Sequence, residues 1–256
     1  MDVLIFAGQS NMVGVTECEP EDKAVVENDY EYRFSEDRIV PLSHPVGEDL
    51  FNKTIHGSVE GRGSLVPSFC REYTEKTGRQ VVAIHAAAGG SQISQWLPGT
   101  PIYCAAKKKI LAGLRKIKTE YEVEHVYFVW LQGESDALCR VSEEKYIERL
   151  VYHKNVWKKN TGLRKFCLIR VGYFAKTAPW AKADPEEKMK WDEVIMGAQD
   201  KAPSVDGDFV MLTGICKELS SDISNFNMQD IGHYNNAALD KIGRAAGRAL
   251  AEIAMA

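Results

Sequence analysis

Three segments of the chain carry side chains that could do nucleophilic and acid–base chemistry. Ser10 follows a short apolar run near the start, Glu134 follows a longer apolar run, and Asp230 and His233 lie three residues apart near the other end. A serine hydroxyl is a weak nucleophile near neutral pH unless an imidazole accepts its proton, and the imidazole needs an acid on its other nitrogen. These residue types predict Ser10 as nucleophile, His233 as its base and a carboxylate beside the base.

Two carboxylates compete to orient His233. Asp230 and His233 share a face if they occupy one helical turn, so Asp230 could reach the imidazole directly. Glu134 comes from a different element, and it could instead hold Gln132 or a loop in place. The spacing therefore favours Asp230, with Glu134 as the alternative.

Attack on an ester carbonyl creates an oxyanion, which needs fixed N–H donors. The backbone amides of Ser10 and Gly90 are predicted to supply two donors, and the side chain of Gln132 a third. Taken singly, these residues have ordinary explanations, such as a turn for Gly90 and a helix cap for Asp230. Their joint placement after apolar runs favours the catalytic interpretation.

The elements that must position these residues alternate between strand-length apolar runs and segments of helical period. Such alternation is typical of an open, mostly parallel sheet covered by helices, whose ligands bind beyond the carboxyl ends of the strands. We predict a three-layer α/β/α sandwich around a five-stranded parallel sheet, forming one domain over residues 1–256. A long irregular loop region is predicted at about residues 18–61, and a last helix over residues 230–254. The predicted strands cover residues 3–7, 80–87, 123–131, 165–174 and 208–214.

Composition excludes several classes of partner. The net charge is −4 and there is no basic stripe, so no nucleic-acid partner is expected. No apolar run approaches the roughly 18 residues of a membrane-spanning helix, so no membrane is expected either. The six cysteines are scattered without a C-x-x-C pair, which favours free thiols and a reducing compartment. Because the first residues lack signal-peptide features, a cytoplasmic protein is expected.

Four sequence blocks, in order, resemble the SGNH hydrolases. They are "GQSNM", "AGGSQISQW", "WLQGESDA" and a late D-x-x-H. The closest likeness is to the branch that holds sialate O-acetylesterases and acetylxylan esterases, and it runs from residue 3 to the final helix. It implies a flavodoxin-like fold with Ser10 as nucleophile, His233 as general base, Asp230 as its acid partner, and oxyanion amides from Ser10 and Gly90. The chain has "QGES" where the wider superfamily has an asparagine donor, which leaves the third donor open.

The resemblance implies a serine esterase that removes acetyl groups from a carbohydrate through an acetyl-enzyme, without a metal or an organic cofactor. The expected substrates are acetylated small molecules or oligosaccharides, in preference to polymeric xylan. Trp96 could stack against a sugar or lie in the core, and Arg62 could contact substrate. Two alternatives are an esterase or thioesterase for small non-carbohydrate acyl esters and a catalytically inactive carbohydrate-binding relative.

Overall fold

One seven-stranded sheet runs through the molecule. The computed structural model describes residues 1–58, 63–174 and 184–256. The strands are β1 (Asp2–Gly8), β2 (Tyr30–Arg33), β3 (Arg38–Pro41), β4 (Val81–Ala87), β5 (His125–Leu131), β6 (Lys165–Ile169) and β7 (Phe209–Thr213). Their order across the sheet is β3-β2-β4-β1-β5-β6-β7, and every neighbouring pair is parallel except β2 and β3.

The five predicted parallel strands are present as β1, β4, β5, β6 and β7, so the predicted architecture is confirmed. The prediction of an irregular region at residues 18–61 is wrong in part, because β2 and β3 form a hairpin there that extends the sheet at one edge. The hairpin escaped prediction because its strands are short and carry charges. Glu31 is one of these charges, and it is fully buried with its carboxylate 2.9 Å from the guanidinium of Arg33.

Helices cover both faces of the sheet. Successive residues of a strand point to opposite faces, and Tyr127 of β5 packs against Tyr73 while the next residue, Phe128, packs against Trp157. Within the described ranges the helices are α1 (Ser10–Val13), α2 (Val66–Thr77), α3 (Pro101–Glu120), α4 (Glu134–Leu138), α5 (Glu143–Thr161), α6 (Pro185–Val205), α7 (Ile215–Leu219) and α8 (Asn236–Met255). Tyr73 lies on α2, which contacts α8, whereas Trp157 lies on α5, which contacts α3 and α6.

Two glycines of α8 let it pack closely against α2. A Cβ atom at Gly243 would lie 2.1 Å from the hydroxyl of Ser68, and one at Gly247 would lie 2.2 Å from the carbonyl oxygen of Phe69. Such distances are far below van der Waals contact, so larger residues would push the helices apart. The contact fixes α8, and with it the segment that leads into the helix.

The last helix begins at Asn236, later than predicted. The side chain of Asn235 accepts a hydrogen bond from the amide of Ala238 at 3.1 Å and caps the helix. Asp230 and His233 therefore lie in a turn before the helix rather than on its first turn. The D-x-x-H spacing matches a helical turn and a tight turn equally well, because both bring residues three apart together.

Two further features bear on the predicted classes. No helix in the described part of the chain has both the length and the apolar character needed to cross a bilayer. All six cysteines lie within the described ranges and are free thiols, of which Cys70, Cys167 and Cys216 are buried.

A buried acid ties the edge hairpin to the central sheet. Asp29 precedes β2, and its Oδ1 accepts hydrogen bonds from the amide of Val81 at 3.0 Å and the hydroxyl of Thr74 at 2.8 Å. Burial raises the pKa of Asp29 from 3.8 to about 7. The folded state therefore holds this proton more tightly than the unfolded chain does.

We expect Asp29→Asn to change how stability depends on pH. A raised folded pKa gives stability that is present at low pH and lost as pH rises toward about 7. Relative to Asp29→Asn, the unfolding free energy of the wild type should fall by up to about 1.4 kcal/mol per pH unit between roughly pH 5 and 7. Urea unfolding of both proteins across this pH range measures the difference in unfolding free energy. If the two free energies depended on pH in the same way, the raised pKa of Asp29 would be contradicted.

Candidate active site

The strand order brings the predicted residues to one edge of the sheet. β1 lies between β4 and β5 and is parallel to both, so the segments that follow these three strands are neighbours. Ser10 begins α1 directly after β1. A Cβ atom at Gly8 would lie 2.0 Å from the carbonyl oxygen of Leu131, so only glycine allows the chain to turn this close to β5.

Ser10, His233 and Asp230 form a continuous hydrogen-bonded chain. The hydroxyl of Ser10 lies 2.8 Å from Nε2 of His233. On the other side of the ring, Nδ1 is hydrogen-bonded to Oδ2 of Asp230. When Nδ1 carries the proton and donates it to the carboxylate, Nε2 is free to accept from the serine hydroxyl. The arrangement can therefore move a proton away from Ser10 while a carbonyl carbon is attacked.

The turn that carries Asp230 is held by Glu17, which the sequence did not single out. The carboxylate of Glu17 accepts backbone amides from Met228 at 3.0 Å, from Gln229 and from Asp230 at 3.1 Å. Glu17 comes from the segment that follows Ser10, so one stretch of chain positions both Ser10 and Asp230. No spacing rule relates residues more than 200 positions apart, so the sequence carried no signal for this contact.

Glu134 bonds to Asn11 rather than to the imidazole of His233. It is fully buried, and its Oε1 accepts a hydrogen bond from Nδ2 of Asn11 at 2.9 Å. Burial raises the pKa of Glu134 above its usual value. Of the two carboxylates that the sequence offered, Asp230 is the one on Nδ1 of His233, and Glu134 holds the residue next to Ser10.

The side chain of Gln132 is not available as an oxyanion donor. It is fully buried, and its Nε2 donates to the carboxylate of Asp136 at 2.6 Å and to the carbonyl of Ser91 at 2.9 Å. An amide nitrogen has two protons, and these partners take both. The geometry thus contradicts the predicted third donor, because a buried amide must satisfy its own hydrogen bonds first.

The same contacts shape the segment that carries Gly90. Asp136 also accepts the amide of Ile93 at 2.8 Å, so Gln132 and Asp136 together anchor the chain after β4. Gly90 itself is exposed with φ of +67°, a conformation that favours glycine. Further back, the amide of Ala88 donates to the carbonyl of Gly8 at 2.9 Å, which joins this segment to the one that carries Ser10.

Trp96 is a core residue, so the predicted sugar contact is wrong. Its side chain is fully buried, with Nε1 donating to the hydroxyl of Ser91 at 2.8 Å and its ring packed edge-on against Trp130 at 5.1 Å. The ring stabilises the turn after β4 from beneath. Arg62, the other predicted substrate contact, lies outside the described residues.

An aromatic ring that the sequence did not indicate packs against the imidazole. The ring of Phe174 meets His233 edge-on, with centroids 5.6 Å apart. The backbone of Phe174 is held from α6, because its amide donates to Asp192 at 3.2 Å and its carbonyl accepts from Lys188. Burial raises the pKa of Asp192 to about 7. Phe174 is the last residue of the fourth predicted strand, where composition alone does not distinguish a core phenylalanine from one that contacts His233.

The residues that come nearest to a metal-ligand set lie away from this edge. Within the described ranges, ligand atoms of Asp2, Glu124 and His125 lie within 4.8 Å of one another at the beginnings of β1 and β5. The guanidinium of Arg79 contacts all three side chains, at 3.4 Å from each carboxylate and 2.7 Å from Nδ1 of His125. A cation therefore already occupies this cluster, at the opposite end of the strands from Ser10.

Several solved structures share this fold. A protein of Arabidopsis thaliana superimposes with a TM-score of 0.66 at 15% identity over 99% of this chain and 97% of its own. A carbohydrate acetylesterase of Xanthomonas citri gives a TM-score of 0.53 at 16% identity over 98% of this chain and 56% of its own. A lipase from a goat rumen metagenome gives 0.53 at 12% identity over 97% and 98%. At these identities the likeness establishes the fold.

The sequence itself matches a family. No curated protein sequence matches this chain. The model of the carbohydrate esterases called sialic acid-specific acetylesterases matches residues 1–251. Because this match spans nearly the whole chain, the chain belongs to the sialic acid-specific acetylesterase family of carbohydrate esterases and is a carbohydrate O-acetylesterase.

Proposed function

We propose that this esterase removes O-acetyl groups from a sugar by a serine mechanism with a covalent acetyl-enzyme. The observation that carries the proposal is the hydrogen bond between the Ser10 hydroxyl and Nε2 of His233, with Asp230 on the opposite ring nitrogen. This is the arrangement that a serine needs to act as a nucleophile.

Acylation begins when the oxygen of Ser10 attacks the acetyl carbonyl and its proton passes to Nε2 of His233. The imidazolium that forms is stabilised by Asp230. The tetrahedral intermediate then collapses, the bond to the sugar oxygen breaks, and His233 returns the proton to that oxygen. Water, deprotonated by His233, next attacks the acetyl-enzyme and releases acetate with Ser10 regenerated.

Two backbone amides are proposed to stabilise the oxyanion. The amide of Ser10 lies in the first turn of α1, where N–H groups have no acceptor within the helix. The second is the amide of Gly90, in the segment joined to β1 through Ala88 and Gly8. Since the side chain of Gln132 donates its protons to Asp136 and Ser91, we propose an oxyanion hole formed by these two backbone amides.

Family membership and the Xanthomonas acetylesterase support a sugar acetate as substrate. Because a lipase shares this fold, small or lipid acyl esters are the second candidate class of substrate. A panel of acetylated monosaccharides and oligosaccharides, with released acetate measured, tests the proposal directly. Hydrolysis of aryl or lipid esters without any of the sugar acetates would favour the second candidate. An inactive binding relative would release no acetate from any ester.

We expect Ser10→Ala to lower kcat on p-nitrophenyl acetate by on the order of 10⁴-fold or more, because binding and oxyanion donors alone give only residual catalysis. The matched control is Ser221→Ala, at an exposed serine, which should keep wild-type activity. A tenth of wild-type activity in Ser10→Ala would contradict the serine mechanism.

We expect Asp230→Asn to cost far more activity than Glu134→Gln. Loss of the carboxylate that orients an imidazole favours the wrong tautomer and costs about 10⁴-fold in kcat in the serine protease case. Glu134→Gln keeps an acceptor for Asn11 and should cost less than about tenfold. Steady-state kinetics on proteins of matched thermal stability decide the order, and a larger loss in Glu134→Gln would reverse the two roles.

We expect a preference for short acyl groups. Overfilling a packed site with added methylenes costs about 1–3 kcal/mol, so kcat/KM should fall by at least about tenfold from acetate to butyrate esters of one alcohol. If kcat/KM on the octanoate ester equalled or exceeded that on the acetate ester, a lipid ester would be the better candidate substrate.

A further inference from the structure

The side chain of Asn11 connects the segment that carries the nucleophile to the segment that carries the base. Its Nδ2 donates to Oε1 of Glu134 at 2.9 Å, and its Oδ1 accepts the backbone amide of Tyr234 at 3.1 Å. Asn11 directly follows Ser10, and Tyr234 directly follows His233. All three connected residues are buried, with exposed fractions of 2–3%.

We propose that Glu134 and Asn11 are positioning residues that set the separation of Ser10 and His233. Glu134 fixes the orientation of the Asn11 amide, and that amide fixes the backbone at Tyr234. The inference rests on the proposed serine mechanism and names what holds its two reacting side chains in place. Neither Glu134 nor Asn11 touches the reacting atoms, so both act through their neighbours.

The chemistry of the connection requires an amide at position 11. Glu134 presents a carboxylate oxygen and Tyr234 presents an N–H, so the side chain between them must donate at one end and accept at the other. Aspartate would accept at both ends and place two carboxylates together. Leucine would satisfy neither partner, and each would be left buried and unpaired. Asparagine meets both demands at a length that fits.

This requirement allows a reciprocal exchange of the two side chains. In Asn11→Asp the oxygen of residue 11 faces the oxygen of Glu134, and the bond between them is lost. In the double variant with Glu134→Gln, the new amide at position 134 can donate to the new carboxylate. The second oxygen of residue 11 still accepts from Tyr234, and the total charge equals that of the wild type. The hydrogen bond is restored with its direction reversed.

The experiment compares wild type, Asn11→Asp, Glu134→Gln and the double variant on p-nitrophenyl acetate. A misplacement of about 1 Å can cost on the order of 100-fold in rate, so kcat of Asn11→Asp should fall by about that factor. Glu134→Gln should lose less than about tenfold. The kcat of the double variant should recover to within about tenfold of the wild-type value. Such recovery indicates that the two residues are coupled, because the losses at independent positions add. KM should change by less than about threefold throughout, because the connection does not touch substrate.

Controls separate this role from folding and from charge. Asn52→Asp, at an exposed asparagine, makes the same substitution away from the site and should leave kcat unchanged. Thermal unfolding is measured for each protein. If Asn11→Asp does not fold, Asn11→Ala replaces it, since it removes both hydrogen bonds without opposing two carboxylates, and its kcat should fall by at least about tenfold.

Three results would overturn the inference. The first is a double variant as slow as Asn11→Asp, and the second is a fully active Asn11→Ala, since in either case the connection would not govern catalysis. The third is a loss of about 100-fold in Glu134→Gln with a displaced pH profile, since the charge of Glu134 would then act directly on His233. None of these results bears on the serine mechanism, which Ser10→Ala tests separately.

Discussion

The structure around the site depends on the hydrogen bonds made by three buried polar side chains that follow β5. Gln132, Glu134 and Asp136 are at most 2% exposed, and a buried polar group without a hydrogen bond costs free energy. Oε1 of Glu134 accepts a hydrogen bond from Asn11, after β1, and Oδ2 of Asp136 accepts from Gln132 and from the amide of Ile93, after β4. One short segment therefore specifies how the chain leaves the two neighbouring strands, and Ser10 and Gly90 lie in the segments that follow them.

The sequence predicted the parallel strands and the edge where the site lies, because both follow from repeating features. A buried parallel strand shows as an apolar run, and the residue after the run is at the carboxyl end whatever the strand order. Ser10 and Gly90 could therefore be placed at one edge without knowing which strands are neighbours. The pairing of β1 with β4 and β5 was not needed for that step.

What the sequence did not predict depends on contacts between distant segments. Trp96 and Gln132 have polar atoms and follow strands, so they resemble ligand-binding residues until the buried partners that satisfy them are known. The hydrogen bonds from the turn before α8 to the carboxylate of Glu17 join residues more than 200 positions apart. The hairpin at residues 30–41 carries charges that make its strands hard to recognise in the sequence. Glu31 is buried because Arg33 and the amide of Gly47 contact its carboxylate.

The two carboxylates that the sequence offered as partners of His233 differ in how they are held, and this explains why they make different contacts. Asp230 is partly exposed, so its position is fixed by its backbone, through the amides that Glu17 accepts. Glu134 is buried and fixed by its own side chain. Burial raises the pKa of Glu134 and makes its charge costly, whereas the carboxylate of Asp230 lies partly in solvent. The buried acid is thus suited to holding the Asn11 amide in place, and the partly exposed acid to stabilising the positive charge that the proposed mechanism places on His233.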